Sequence, residues 1–258
     1  MTLNIGLGFD AIVLLQARYT RLFKGLDLLL FPELVDGGYA ALARDAALHH
    51  AGDTFVDSFK TASKRFSLCC VAGSMYFAGD PSVYTNTSLA FCRGRLIHRY
   101  DKIHLFKPAG DNRYFQRGKS IRAFTVGRRT GQVKVGVVIC YDLRFPELIR
   151  SLALQGMKLL IVPARWPRSR DDAWFTLLKA RAIENQVFVV GCNAVGEEGG
   201  YSYAFDPLGA LVFSNRKKRG RFLHTFAIDL QQLQTARNLH NNLKDAVLLR
   251  QRASSFAL

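Results

Sequence analysis

An α/β fold, with helices over the outer faces of two sheets that pack on each other, is predicted by three observations on this chain. Continuous apolar runs at Leu28-Leu29-Leu30-Phe31, Leu159-Leu160-Ile161-Val162 and Val187-Phe188-Val189-Val190 have the length of strands buried on both faces. Segments of helical spacing, such as Leu148, Ile149, Leu152 and Ala153, alternate with such runs as βα units do. Hairpin signals also occur, at Arg93-Gly94, between Gly127 and Gly131, and at Leu208-Gly209. With no internal repeat and no low-complexity linker, the mixture fits a single domain over residues 1–258.

Residues 3–9 alternate apolar and small side chains and read as an edge or opening strand. Ile12, Leu15, Tyr19, Leu22 and Phe23 give residues 11–24 helical spacing. The second strand, 27–31, stops at Pro32. A helix over about 54–65 and a strand over 68–73 follow, then hairpin strands at 87–92 and 95–100, and at 121–126 and 133–139. Pro146 suits the first turn of a helix and Gly156 the position past its end. Ser169-x-x-Asp172 has the form of a capping box for a helix reaching about Asn185. After a last strand at 222–228, residues 231–258 start helical and end in a basic, apolar tail, expected to fray or to dock on a second subunit.

Composition excludes several classes. At 258 residues and 49% hydrophobic content the chain can bury a sizeable core. Its apolar runs fall far short of the roughly 18–20 residues that cross a bilayer, and the start lacks a signal-peptide pattern. The five cysteines are odd in number, without metal-ligand pairing such as C-x-x-C. All lie in or at the end of apolar runs, which points to reduced thiols, four of them core filler, in a cytoplasmic protein without a metal. The net charge of +16 invites a polyanion partner. The basic residues are spread along the chain, however, with short clusters only at Arg128-Arg129 and 216–221. That pattern reads as a solvated basic surface rather than a specific nucleic-acid site.

Three strand ends carry chemistry. Cys140 closes the run Val135-Gly136-Val137-Val138-Ile139 where a turn and a helix follow, so its thiol rises toward a crevice beside free N–H groups. Glu33 follows the second strand, and Lys102 follows the strand that ends at Tyr100. Attack of a thiol on an amide needs a nucleophile, a base and a positive group at the developing oxyanion. Taken singly, the three read as core packing, a helix-start carboxylate and a surface lysine.

Jointly, the segments holding them say more. Phe31-Pro32-Glu33-Leu34-x-x-x-Gly38-Tyr39, Tyr100-Asp101-Lys102-Ile103-His104-Leu105-Phe106 and Cys140-Tyr141-Asp142-Leu143-Arg144-Phe145-Pro146-Glu147 resemble the three signature segments of the nitrilase, or carbon–nitrogen hydrolase, superfamily. Ala180-Arg181-Ala182-Ile183-Glu184-Asn185-Gln186, Gly200-Tyr201-Ser202 and Asp206-Pro207-Leu208-Gly209 extend the resemblance over nearly the whole chain. The resemblance implies an α-β-β-α sandwich that becomes four-layered on dimerisation, and a Glu–Lys–Cys triad without metal or organic cofactor. It makes Glu33 the general base, Lys102 the group that steadies the tetrahedral intermediate and Cys140 the nucleophile that forms a thioester. The Tyr141 N–H would be a second oxyanion donor. Where many members carry a second glutamate this chain has Asp111, one methylene shorter, which leaves a slower or inactive homologue open.

Tyr141-Asp142 after the cysteine, in place of Trp-Glu, is similar to ω-amidase-like members and implies a small carboxylated amide as substrate. Arg165 and Trp166, after the strand at 159–162, are the candidate substrate-binding residues, Arg165 through paired N–H bonds to a carboxylate. An ordinary basic surface turn is the equally weighted alternative for Arg165 and the preferred one for Arg168. Hydrolysis of N-carbamoyl amino acids uses the same triad and stays open, as does a basic binding protein with little activity.

Overall fold

The computed structural model describes residues 1–8, 23–39, 48–80, 83–128, 131–196, 199–217 and 223–246. The expected helix at 11–24 falls almost wholly outside these, as do the end of the basic cluster at 216–221 and the tail beyond residue 246.

Strand β1 (Thr2–Gly8) and β2 (Leu28–Leu30) open the first sheet, and helix α1 (Leu48–Arg65) leads to β3 (Cys69–Val71). Strands β4 (Met75–Asp80), β5 (Val83–Cys92) and β6 (Arg95–Asp101) follow, then the single-turn helix α2 (Asp111–Tyr114) and β7 (Phe115–Gln116). The second sheet begins with β8 (Phe124–Arg128) and β9 (Gly131–Val137). It continues through α3 (Pro146–Leu154), β10 (Leu159–Ala164), α4 (Asp171–Asn185), β11 (Phe188–Asn193), β12 (Tyr203–Phe205) and β13 (Leu211–Ser214). Strand β14 (Leu223–Asp229), α5 (Gln231–Leu239) and α6 (Asn242–Asp245) complete the described chain.

The first sheet runs β14-β1-β2-β3-β5-β4, with β6 and β7 also joined to β5, and the second runs β13-β12-β11-β10-β9-β8. Strand β1 is therefore an inner strand, between β14 and β2, rather than an edge. Alternation along β2 shows how the layers form. Leu28 and Leu30 enter the core between the sheets, together with Val135, Val137 and Ile161. Leu29 and Phe31 point the other way, into a core with Phe59 of α1, Cys70 and Phe91. Each such side chain, fully removed from water, contributes roughly 1.5–3 kcal/mol, which is why both faces of β2 must be apolar. Helices α3 and α4 cover the second sheet, and Gly191 of β11 leaves room for Trp174 and Leu178 of α4 to lie against the strand. Among the described residues no helix is long and apolar enough to cross a membrane.

The hairpin at Arg93-Gly94 forms as expected, with φ of 51° and 82°, the positive pair that matches the twist of two flanking strands. Two expectations are corrected, and strand β4 is an addition to the elements read from the sequence. Ser169 lies in a 3-10 turn (Arg168–Arg170), so the residue before α4 is Arg170 and no side chain caps the helix; Asp171 and Asp172 in its first turn complement the dipole instead. Nor are all five cysteines free: antiparallel pairing sets Cys69 of β3 opposite Cys92 of β5, and a disulfide joins them. Cys70, Cys140 and Cys192 remain thiols.

Candidate active site

Parallel β9, β10 and β11 end side by side, and so do parallel β1, β2 and β3 of the facing sheet. Polar side chains past such carboxyl ends stand in a crevice. Glu33 arrives from β2, Arg165 and Trp166 from β10, Asn193 from β11 and Cys140 from just beyond β9. Lys102 comes from the end of β6, where its N–H donates to Asn86 O on β5 at 2.9 Å.

Glu33, Lys102 and Asp111 are wholly buried, and they form one ionic cluster. Lys102 Nζ lies 2.8 Å from Glu33 Oε1 and 2.8 Å from Asp111 Oδ2. Asn86 Nδ2 also donates to Glu33 Oε1 at 2.9 Å, and the Arg165 N–H donates to Glu33 Oε2 at 3.0 Å. The shorter side chain of Asp111 reaches the lysine because α2 starts there, and the Phe106 N–H donates to the same Oδ2 at 2.9 Å. Burial works against the Lys102 charge, but Glu33, with further support from Tyr39, Cys140 and Asp111, outweighs it and raises the pKa well above the usual lysine value. The ammonium therefore stays charged, as a buried charge must when its partners are close.

The thiol of Cys140 completes the cluster. Its residue has φ of 47° and opens a 3-10 turn through Arg144, whose first N–H groups have no partner within the turn. A left-handed non-glycine residue costs about 1–3 kcal/mol and persists only where the surroundings enforce it. Asp142, fully buried, supplies that enforcement. Its Oδ2 accepts from the Ile139 N–H at 3.0 Å and from the Tyr100 hydroxyl at 2.7 Å. Its Oδ1 accepts from the His104 N–H at 2.8 Å and lies 2.9 Å from His104 Nδ1. The cysteine turn is thus tied to residues on both sides of Lys102. Burial, with the Glu33 charge, pushes the Cys140 thiol well above its usual pKa; Lys102 pulls the other way without prevailing. Burial thus disfavours the thiolate, and the hydrogen-bond partner of Cys140 Sγ is Arg165 O at 4.0 Å.

A cavity of about 200 Å³ lies over this sulfur, walled by Tyr39, Phe106, Tyr141, Arg144, Trp166 and Arg170, among others. Arg165 also reaches its wall, but Nε donates to Glu33 O and Nη2 to Leu34 O, both at 2.9 Å. The guanidinium expected to grip a substrate carboxylate is thus committed to the loop that bears Glu33. Trp166 is buried, its Nε1 donates to Arg170 O at 3.0 Å, and it offers the cavity an apolar face under the Arg144 guanidinium. Among the described residues no cluster of three or more His, Cys, Asp or Glu side chains is arranged to hold a metal ion.

The structure brings together Glu33, Lys102, Cys140 and Asp111, with Tyr141 at the cavity. Sequence reasoning missed Asn86, Arg144, Arg170 and the anchoring role of Asp142. Asn86 had a signal: it belongs to a polar run, Thr85 to Ser88, inside a strand that is otherwise apolar. Asp36 was also missed. It sits in the loop after Glu33, its Oδ2 accepts from the Tyr76 N–H at 2.8 Å, and burial raises its pKa to about 7.

Comparison with known proteins agrees with this geometry. A family model described as carbon–nitrogen hydrolase matches residues 9–238. The 2-oxoglutaramate amidase of Bacillus subtilis (strain 168) is 35% identical over 214 residues, 81% of this chain and 80% of that protein. The omega-amidase YafV of Escherichia coli (strain K12) is 34% identical over 194 residues, 73% of this chain and 72% of that protein. Among solved structures, XC1258 from Xanthomonas campestris, described as a CN-hydrolase superfamily protein, superposes with a TM-score of 0.80 at 26% identity, over 95% of this chain and 97% of that one. Saccharomyces cerevisiae Nit3, of the nitrilase superfamily, gives 0.78 at 23% identity, over 95% and 96%.

Proposed function

Because the chain belongs to the carbon–nitrogen hydrolase family and is an amidase, we propose that it hydrolyses the terminal amide of a small carboxylated substrate through a thioester on Cys140. The observation that carries this reading is the buried Lys102–Glu33 ion pair at 2.8 Å, close enough to Cys140 to act on its thiol, with that cysteine lining one small cavity.

Glu33 takes the thiol proton as Sγ bonds to the amide carbon. Burial raises the thiol's pKa, so a neighbouring base has to take its proton for attack. Negative charge passes to the carbonyl oxygen, where the Lys102 ammonium and the Tyr141 N–H receive it. Protonated Glu33 then gives its proton to the leaving nitrogen, the C–N bond breaks and ammonia departs. Water attacks the thioester with Glu33 again as base, which restores the thiol and releases the acid. Asp111 also holds Lys102, so the ammonium keeps a partner when Glu33 is neutral; that contact at 2.8 Å speaks against an inactive homologue.

The substrate class follows from the walls. Ligand pockets commonly run to roughly 300–1,000 Å³, so about 200 Å³ suits a short chain. With Arg165 engaged elsewhere, Arg144 and Arg170 are the cavity guanidiniums suited to pair with a carboxylate. The 2-oxoglutaramate amidase and omega-amidase names of the relatives support the same choice. The test is ammonia release by the purified protein from ω-amides such as succinamate and from N-carbamoyl amino acids, with Cys140→Ala as control. Turnover of the ω-amides, abolished in the control, is expected. Release confined to carbamoyl substrates, or surviving the substitution, overturns the reading.

A further inference from the structure

Beyond the cavity, the structure holds a second cluster of cations for which neither the triad nor a short substrate has a use. Arg168 and Arg216 both stand over the ring of Tyr201, with guanidinium carbons 5.2 and 5.6 Å from its centroid. One comes from the 3-10 turn before α4, the other from the chain just after β13. Both side chains are exposed. Arg99 and Arg181 pair with Asp101 and Glu184. Among the described residues neither Arg168 nor Arg216 has a carboxylate partner, and the neighbouring Asp171 is engaged by the Tyr203 hydroxyl at 2.8 Å.

The main chain that carries this ring is anchored. Tyr201 O accepts from Trp174 Nε1 at 2.8 Å and from Asn193 Nδ2 at 3.3 Å. The same Asn193 amide donates to Trp166 O at 2.9 Å, which clamps the Tyr201 chain beside the cavity wall. Gly200 permits the approach, since a Cβ there would stand 2.8 Å from Trp166 O. This segment therefore adjoins the Trp166–Pro167 edge of the cavity.

Two like charges gathered at one ring repel each other, and an anion that both guanidiniums reach turns that repulsion into attraction. Guanidinium forks match the oxygens of a carboxylate or a phosphate. We infer that Arg168, Tyr201 and Arg216 form a second anion subsite, which receives an oxyanion at the far end of a substrate longer than a simple ω-amide. The inference rests on the amidase reading and extends it: the preferred substrate carries two anionic groups, one near the amide for Arg144 and Arg170 and one beyond the cavity edge.

Three glutamine derivatives share the side-chain amide and the α-carboxylate and differ only at the far end. N-acetylglutamine has no distal anion, N-malonylglutamine has a carboxylate and N-phosphonoacetylglutamine has a phosphonate. KM and kcat are measured for each, and for succinamate, in the wild type and in the Arg168→Ala/Arg216→Ala double variant. A KM at least tenfold lower for either distal anion than for N-acetylglutamine is expected, and whichever gains more identifies the oxyanion. The double variant should erase that gain and leave succinamate kinetics within about twofold of wild type. Equal KM values for all three, a gain that survives the double substitution, or turnover of succinamate with none of the three accepted, overturns the inference. Failure of succinamate itself in the wild type is a different result, and it overturns the amidase reading beneath.

Discussion

Replacing Asp142 by asparagine keeps the shape of the side chain and exposes how the cysteine turn is held. Each oxygen of Asp142 accepts from one main-chain N–H, Ile139 on one side and His104 on the other. Tyr100 and His104 can reverse their side-chain roles to suit an amide, but a peptide N–H cannot. Whichever way the new side-chain amide is turned, its NH2 meets one of these two donors. That donor loses its hydrogen bond to a charged group and is left without a partner, a loss of roughly 1–3 kcal/mol. Asp142→Asn should be about 2–3 kcal/mol less stable in urea unfolding. The lost anchor is also the one that fixes Cys140 against the Lys102 segment. A displacement near 1 Å costs on the order of 10²-fold in rate, so kcat should fall by about that factor at a temperature where the variant is still folded. A variant within about 0.5 kcal/mol of wild type, with kcat unchanged, would refute the claim that Asp142 enforces the turn.

Lys102→Met should abolish amide hydrolysis and leave Glu33 and Asp111 buried together without their cation; loss of such a partner costs roughly 3–5 kcal/mol at neutral pH. The deficit against wild type, followed by urea unfolding from pH 7 to pH 4, should narrow as the carboxylates take up protons. Asp36 gives a pH dependence of opposite sense to that of a salt-bridged carboxylate. Its folded pKa of about 7 lies above its ordinary value of 3.8, so the folded state binds the extra proton and stability is lost as pH rises through that window. Asp36→Asn should flatten the wild-type decline between pH 4 and pH 7, and an unchanged slope would exclude Asp36 as its source. Thiol titration of the denatured, unreduced protein should find three reactive cysteines, Cys70, Cys140 and Cys192, rising to all five after reduction; five from the outset would remove the Cys69–Cys92 bond.

The sequence was most informative where a physical requirement is local. Doubly covered strands such as β2 announced themselves as unbroken apolar runs, and Arg93-Gly94 announced a turn because Gly94 accepts positive φ without strain. Glu33, Lys102 and Cys140 were legible because each stands at a strand end inside a distinctive segment. What stayed hidden depends on partners far along the chain. Nothing near Arg165 says that its guanidinium will fold back on the Glu33 and Leu34 carbonyls, and that contact exists only because β2 and β10 meet across the two sheets. The Cys69–Cys92 bond depends in the same way on the register of β3 against β5. The capping motif at Ser169 failed for a local reason: a 3-10 turn took up the residues that would have formed the cap.

Mass analysis of the protein quenched in acid during turnover of succinamate reaches the centre of the account. A sulfur that takes the acyl group should carry it, as a succinyl mass increment on the peptide that contains Cys140 and on no other cysteine peptide. Steady ammonia release with the Cys140 peptide unmodified at every quench time, and undiminished in Cys140→Ala, would show that Cys140 is not the nucleophile.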